Sequence, residues 1–64
     1  MKFSIRDTQT DFAIHDISSS KLIHILLEKK AIDDSKVATA VSKIADLGIG
    51  KSIKIKWYSV IRTE

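Results

Sequence analysis

The stretch of sequence that decides the fold is residues 51–62, KSIKIKWYSVIR. Apolar residues occupy alternate positions from Ile53 to Trp57, and lysines stand between them. Side chains of a β-strand point alternately to the two faces of the sheet, so the pattern predicts a strand with one apolar and one basic face. We predict that residues 51–62 form a single strand, the third of the sheet, and that Trp57 belongs to the core.

The N-terminal part of the chain predicts two further strands. Apolar and polar residues alternate over residues 2–6 and again over residues 11–15. The polar segment 7–10 between them has the length of a hairpin connection. These two strands are therefore predicted to form an antiparallel pair.

The first helix is predicted from Ser18, its N-cap, to about residue 30. Ile17 is spaced to pack on Leu22 as a hydrophobic staple. The apolar residues of this helix cover more than half of its circumference: Leu22, Ile23, Ile25, Leu26 and Leu27. One sheet face cannot cover so wide an arc, so the helix is predicted either to lie between the sheet and the second helix or to contact another subunit.

The second helix is predicted over residues 34–47, with Asp33 as its N-cap. Gly48 is expected to end it in the left-handed conformation. Ile49 would then contact Ile44, as in a Schellman motif.

Together these elements predict a single α+β domain over residues 1–64. Its expected architecture is a three-stranded, antiparallel-type sheet in the order β-β-α-α-β, with two helices packed on one face. A chain of 64 residues without cysteine must rely on a small core, so we expect a homodimer.

Composition argues against several classes of protein. Two histidines and no cysteine are too few for a structural zinc site, and no cofactor motif such as a glycine-rich phosphate loop is present. The apolar runs are far shorter than a membrane span, and no signal peptide is evident. The expected location is the cytoplasm.

Strand alternation predicts that the sheet face away from the helices is basic. If Phe3, Phe12 and Trp57 point inward, the opposite face carries the following residues: Lys2, Arg6, His15, Lys54, Lys56, Tyr58, Val60 and Arg62. A basic sheet with an aromatic side chain is suited to phosphates and bases. The alternative is a solvated face whose lysines prevent edge pairing.

The second helix is another candidate nucleic-acid-binding element. Two short helices followed by a strand also occur in helix-turn-helix and winged-helix proteins, and here the helix would present Lys36, Thr39 and Lys43. The connection lacks the usual glycine, and Asp33 and Asp34 would face phosphates. An ordinary helical hairpin is the competing interpretation.

Candidates for catalysis are poor. His24 and Glu28 lie one helical turn apart, but a third metal ligand is missing and an exposed pair explains them. Ser18 and its two neighbouring serines are better explained as capping residues than as nucleophiles. We expect no catalytic residue, no metal and no enzyme activity.

The sequence therefore favours a small, non-enzymatic binding module, such as a regulator, that docks nucleic acid or another acidic partner on the basic sheet face. DNA and RNA are not distinguished. The alternative is a protein–protein interaction or assembly domain that uses the apolar arc of the first helix.

Overall fold

The computed structural model describes residues 1–64 and shows one sheet with two α-helices. The elements, in chain order, are β1 (Phe3–Asp7), β2 (Ala13–Ile17), α1 (Ser19–Glu28), a 3₁₀ turn (Asp34–Lys36), α2 (Val37–Ala45), β3 (Ser52–Ile55) and β4 (Tyr58–Arg62). All neighbouring strands are antiparallel, in the order β2-β1-β4-β3. The predicted α+β class with an antiparallel sheet is confirmed, but the sheet has four strands rather than three.

The prediction of one long strand over residues 51–62 is wrong. Residues 56–57 form a two-residue turn that divides it into the β3–β4 hairpin, and Lys56 adopts a φ of 58° there. Ile55 pairs with Tyr58 across the turn, and paired residues face the same side of a sheet. The inward and outward positions of β4 are therefore the reverse of those predicted.

The β1–β2 hairpin is present, with β2 two residues later than predicted. Its ladder is irregular: Phe3 pairs with Ile17 and Ile5 with Ile14, so β2 contains one residue more than β1 between these pairs. Asp16 lies in this β-bulge with a φ of 59°. The bulge turns Ile17 into the core just before α1 begins, where the sequence had predicted only a helix staple.

The core lies between the sheet and the helices. Its fully buried side chains come from the inner face of the sheet and from α1: Phe3, Ile5, Leu22, Leu26 and Val60. Ile44 of α2 belongs to the same cluster, and Phe12, Ile14, Ile53, Ile55 and Trp57 pack against it half-buried. The sequence correctly placed the apolar residues of β1, β2 and β3 on the helix side, but it placed Val60 of β4 on the outer face.

Helix α1 begins and ends with well-formed caps. Ser18 is the N-cap as predicted, since its Oγ accepts a hydrogen bond from the Lys21 N–H at 3.2 Å. At the other end the Lys30 N–H donates to the Leu27 carbonyl and the Ala31 N–H to the Leu26 carbonyl. This is a Schellman motif, and Lys30 holds its left-handed position, where glycine is usual, with a φ of 59°.

Replacing Lys30 with glycine is expected to stabilise the protein. A side chain in the left-handed region costs roughly 1–2 kcal/mol, and glycine removes this strain. Glycine also loses more backbone entropy on folding, which offsets part of the gain, so we expect a net stabilisation of about 0.5–1 kcal/mol. Urea unfolding followed by circular dichroism measures it. Lys29→Gly is the control, because Lys29 has a φ of −82° and should lose stability when replaced. A destabilised Lys30→Gly protein would contradict the Schellman geometry.

The second helix differs from the prediction at both ends: Asp33 caps the 3₁₀ turn Asp34–Lys36, and α2 begins only at Val37, where its N-cap residue Lys36 makes no side-chain hydrogen bond. The Asp33 carboxylate accepts hydrogen bonds from Ser35, which lowers the pKa of that carboxyl. Protonation in acid therefore removes this cap as the pH falls through the lowered pKa. The helix ends at Ala45, and Gly50 rather than Gly48 has a positive φ.

The two glycines belong to a turn that leads into β3. The Lys51 N–H donates to the Gly48 carbonyl, and Gly50 adopts a φ of 82° at the third position of this turn. Ile49 is consequently 65% exposed and does not cover Ile44, contrary to prediction. No helix in the structure combines the length and apolar character that crossing a bilayer requires.

Candidate functional site

The outer face of the sheet, the side opposite the helices, is less basic than predicted. Its side chains are Ser4, Arg6, Ala13, His15, Ser52, Lys54, Ser59 and Ile61. Only Arg6 and Lys54 bring full positive charges to it. Serines fill most of its centre, and Ile61 is 37% exposed there.

Val60, which was predicted for that face, is fully buried in the core, and four other residues predicted for it also lie elsewhere. Tyr58 is in the core at 4% exposure, where its ring meets Phe12 edge-on at 6.4 Å between centroids. Arg62 stands at a position of β4 that faces the helix side of the sheet, and its guanidinium donates hydrogen bonds to the Leu47 and Glu64 carbonyls at 2.9 and 2.8 Å. Lys2 precedes β1 and bonds through its backbone to residues 63–64.

The fourth, Lys56, lies in the β3–β4 turn and helps to form a groove beside the edge strand β3. We call this the lysine groove, and nine residues line it: Ala31, Ile32, Lys36, Thr39, Ala40, Lys43, Lys54, Ile55 and Lys56. Its volume is about 210 Å³. The groove brings the binding residues predicted on the second helix together with two of those predicted on the strands, Lys54 and Lys56, which the sequence treated as alternatives.

Local structure explains why the two sets meet. Lys36, Ala40 and Lys43 are three or four residues apart, so they lie on one side of α2. Lys54 and Lys56 flank Ile55 at the end of β3, which is an edge strand and leaves this side of the sheet open. The groove thus has two walls: Lys36 and Lys43 line the first, and the second carries Lys56 together with Lys54, which stands on the outer face at the sheet edge and also borders the groove.

The lysines of the groove have no acidic partners. No carboxylate lines it, and the single ion pair of the whole chain joins His24 and Glu28 at 3.6 Å. Lys56 Nζ donates to the Lys30 carbonyl at 3.0 Å and lies 4.7 Å from the centroid of the Trp57 ring. Four lysines therefore line one groove, and two of them, Lys36 and Lys56, also line the adjoining hollow with Asp33 and Asp34, where the hydrogen bonds of Ser35 and the charge of Lys36 lower the pKa of the Asp33 carboxyl.

Backbone conformation also sets this region apart. Three residues other than glycine have a positive φ: Asp16, Lys30 and Lys56. Two of them are lysines at one end of the groove, joined by the hydrogen bond just described. Such conformations cost free energy and concentrate at binding sites. The hollow that adjoins this end of the groove is lined by Lys30, Asp33 and Asp34. One end of the groove therefore has both acidic and basic side chains nearby, and the other end has only basic ones.

A second concave surface is apolar and lies between the two helices. It has a volume of about 390 Å³, and no charged side chain lines it: Met1, Ser19, Ser20, Ile23, Val41, Ile44 and Ala45. Met1 is 59% and Val41 47% exposed. This helix cleft includes Ile23, the side of the α1 arc that the sheet does not cover.

The polar groups considered for catalysis remain dispersed. His24 and Glu28 form the exposed i, i+4 pair described above, and no three potential metal ligands lie together. His15 Nδ1 is 3.1 Å from Ser4 Oγ on the outer face, an exposed hydrogen bond. Ser18 is engaged in capping α1. No group of these residues has the geometry of a catalytic site.

Sequence reasoning missed the floor of the groove and its neighbour Lys30. Ile32 and Ile55 were not considered as part of a binding site, and both are half-buried beside the lysines. Lys30 was placed at the end of a regular helix. The signal that was present is the spacing of Lys36, Ala40 and Lys43, which puts them on one helix side.

Comparison with known proteins adds no relative. No protein-family model matches the chain, and neither the curated proteins nor the solved structures include one that resembles it significantly.

Proposed function

We propose that this protein is a small, non-enzymatic module that docks nucleic acid in the lysine groove and acts as a regulator through that contact. The observation that supports this most is the convergence of four unpaired lysines from separate elements on one groove without a carboxylate. A module of this kind acts where nucleic acid is present, and we place it in the cytoplasm. Other acidic partners use the same charges and are outcomes of the test.

Counterion release explains why such a groove favours a polyanion. Nucleic acid condenses cations around its phosphates, and lysines that neutralise the phosphates release those cations into solution. Four contacts predict a slope of about −3.6 for log K against log salt with duplex DNA and about −2.8 with a single strand. The net charge of +3 acts in the same direction over a longer range.

Reversing the charge of one lysine on each wall should abolish most of the binding. We expect Lys43→Glu with Lys54→Glu to weaken binding by at least about 100-fold at low salt and to reduce the slope by about 2, since each lost phosphate contact removes about one unit. Fluorescence anisotropy with labelled oligonucleotides, repeated from low to physiological salt, measures both quantities.

The matched control is Lys21→Glu with Lys51→Glu. Both lysines are exposed and lie outside the groove, and the change in net charge is the same. An equal loss of affinity in the two variants would show that overall charge, and not the groove, carries the binding. If the unchanged protein binds no oligonucleotide at low salt, the proposed function is wrong.

The helix cleft supports a second candidate, self-association through the apolar arc of α1. Because no charged side chain lines the cleft, two copies of the chain can pack apolar side chains against each other there. A core of this size supplies only about 3–5 kcal/mol, which a second copy would supplement. A homodimer in multi-angle light scattering that Val41→Lys dissociates would support it; a monomer at all concentrations would exclude it.

A further inference from the structure

We infer that the nucleic acid taken by the lysine groove is a single strand, bound with little dependence on base sequence, rather than a duplex. The inference rests on the proposed function and adds the class of ligand. It follows from three features of the groove: its opposed walls, its apolar floor and the chemistry of its lining.

The opposed walls suit a chain that lies between them. Lys36 and Lys43 are seven residues apart on the helical wall, which corresponds to roughly 10 Å along the axis. Lys54 and Lys56 lie on the facing wall. A single phosphodiester backbone running along the groove is reached by lysines from both sides. A duplex presents two phosphate rows on a convex cylinder, which complements a concave groove less well.

The same geometry argues against α2 entering the major groove of DNA. The side of α2 with Lys36, Thr39 and Lys43 looks across the lysine groove towards the β3–β4 turn. A duplex that approached those residues as it approaches a recognition helix would meet Lys56 and the rest of that turn. The helix and the hairpin can act together only on a ligand thin enough to lie between them.

The apolar floor complements a surface that only unpaired strands expose. Ile32, Ala40 and Ile55 lie between the lysines. Base faces are hidden by stacking and pairing in a duplex but are accessible in a single strand, where they bind apolar and aromatic side chains. The volume of about 210 Å³ is below the 300–1,000 Å³ of typical small-molecule pockets, as expected for a segment of a longer chain.

The lining also lacks most of the side chains that distinguish bases. Direct readout relies chiefly on arginine, lysine, asparagine, glutamine and carboxylates. Of these only lysine lines the groove, and Thr39 is its only neutral hydrogen-bonding side chain. Lysine contacts with phosphates position a ligand without reading it. At 3.4 Å per stacked nucleotide, the longest dimension of the protein, 27 Å, spans about eight nucleotides.

The test compares an eight-nucleotide oligothymidylate with a 20-base-pair duplex at equal salt, by competition against a labelled single strand. Trp57 is the single tryptophan and lies under Lys56 Nζ, so its fluorescence reports occupancy directly. We expect the single strand to bind at least about ten-fold more tightly, to change Trp57 emission, and to bind equally well when the oligonucleotide has mixed sequence.

A pair of variants in α2 locates the site without touching the core. Thr39→Glu places a carboxylate in the groove and should weaken single-strand binding at least about ten-fold, by repulsion of phosphate. Ser42→Glu adds the same charge at an exposed position of the same helix that does not line the groove, and should change binding less than about two-fold. Circular dichroism verifies that both variants fold.

The possible outcomes separate this inference from the proposed function. Tighter binding of the duplex, with loss of binding in Thr39→Glu, would overturn the single-strand inference and leave the groove as a nucleic-acid site. Equal losses in the two variants would overturn the assignment of the strand to the groove. Absence of binding by either oligonucleotide would overturn the inference and the proposed function together.

Discussion

Val60→Lys is expected to unfold the protein, whereas Ile61→Lys is expected to leave it folded. Val60 is 0% exposed in the core, and Ile61, its neighbour in β4, is 37% exposed on the outer face. Burying an unpaired ammonium costs several kcal/mol, which exceeds the roughly 3–5 kcal/mol that a core of this size supplies. A lysine at position 61 keeps its charge in water and costs less than about 1 kcal/mol.

This pair of variants tests the turn at residues 56–57 directly. A continuous strand over residues 51–62 would place Val60 outward and Ile61 inward, and the two lysine variants would then exchange their behaviour. Circular dichroism and urea unfolding of both proteins distinguish the two arrangements. Stable folding of Val60→Lys would contradict the β3–β4 hairpin and the four-stranded sheet built on it.

Tyr58→Ala should have the second largest effect on the stability of the protein. Tyr58 is buried against Phe12 and Trp57, with ring centroids 6.4 and 6.2 Å away. Truncating a buried aromatic side chain to alanine costs about 3–5 kcal/mol, so most molecules of this variant should be unfolded at 25 °C. The fraction folded is measured by urea titration and by dispersion of the amide resonances.

Tyr58→Phe is the matched control for this prediction. It keeps the ring and should change stability by less than about 1 kcal/mol, because the hydroxyl makes no hydrogen bond within the protein. It should also bind oligonucleotides as well as the unchanged protein does. Weakened binding in a fully folded Tyr58→Phe protein would show that the hydroxyl contacts the ligand and would contradict its placement in the lysine groove, which Tyr58 does not line.

The helices could be predicted closely because their signals are local. Ser18 and Asp33 accept hydrogen bonds from backbone N–H groups two or three residues later, so the capping sequence itself carries the interaction. The buried residues Leu22, Ile25 and Leu26 follow from the helical period. The end of α2 was harder, because a glycine pair serves a helix cap and a turn equally well.

The strands near the C-terminus could not be predicted as well. Alternation over residues 51–57 continues through Trp57 without a break, and no glycine or asparagine marks the turn. A two-residue turn reverses the alternation that follows it, so one missed turn misplaced every side chain of β4. Tyr58 and Arg62 were consequently predicted as binding residues on the outer face.

By itself, the sequence determined the two N-terminal strands, the start of α1 and the core residues outside β4, because these depend on spacing within one segment. The tertiary structure alone decided which charges lie together. Lys43 and Lys54 meet only because β3 folds back as an edge strand beside α2, and the stretch KSIKIKWYSVIR contains no local signal of that return. Packing between segments that are distant in the sequence selects the hairpin, since the hairpin buries Tyr58 and Val60 in one core with α1.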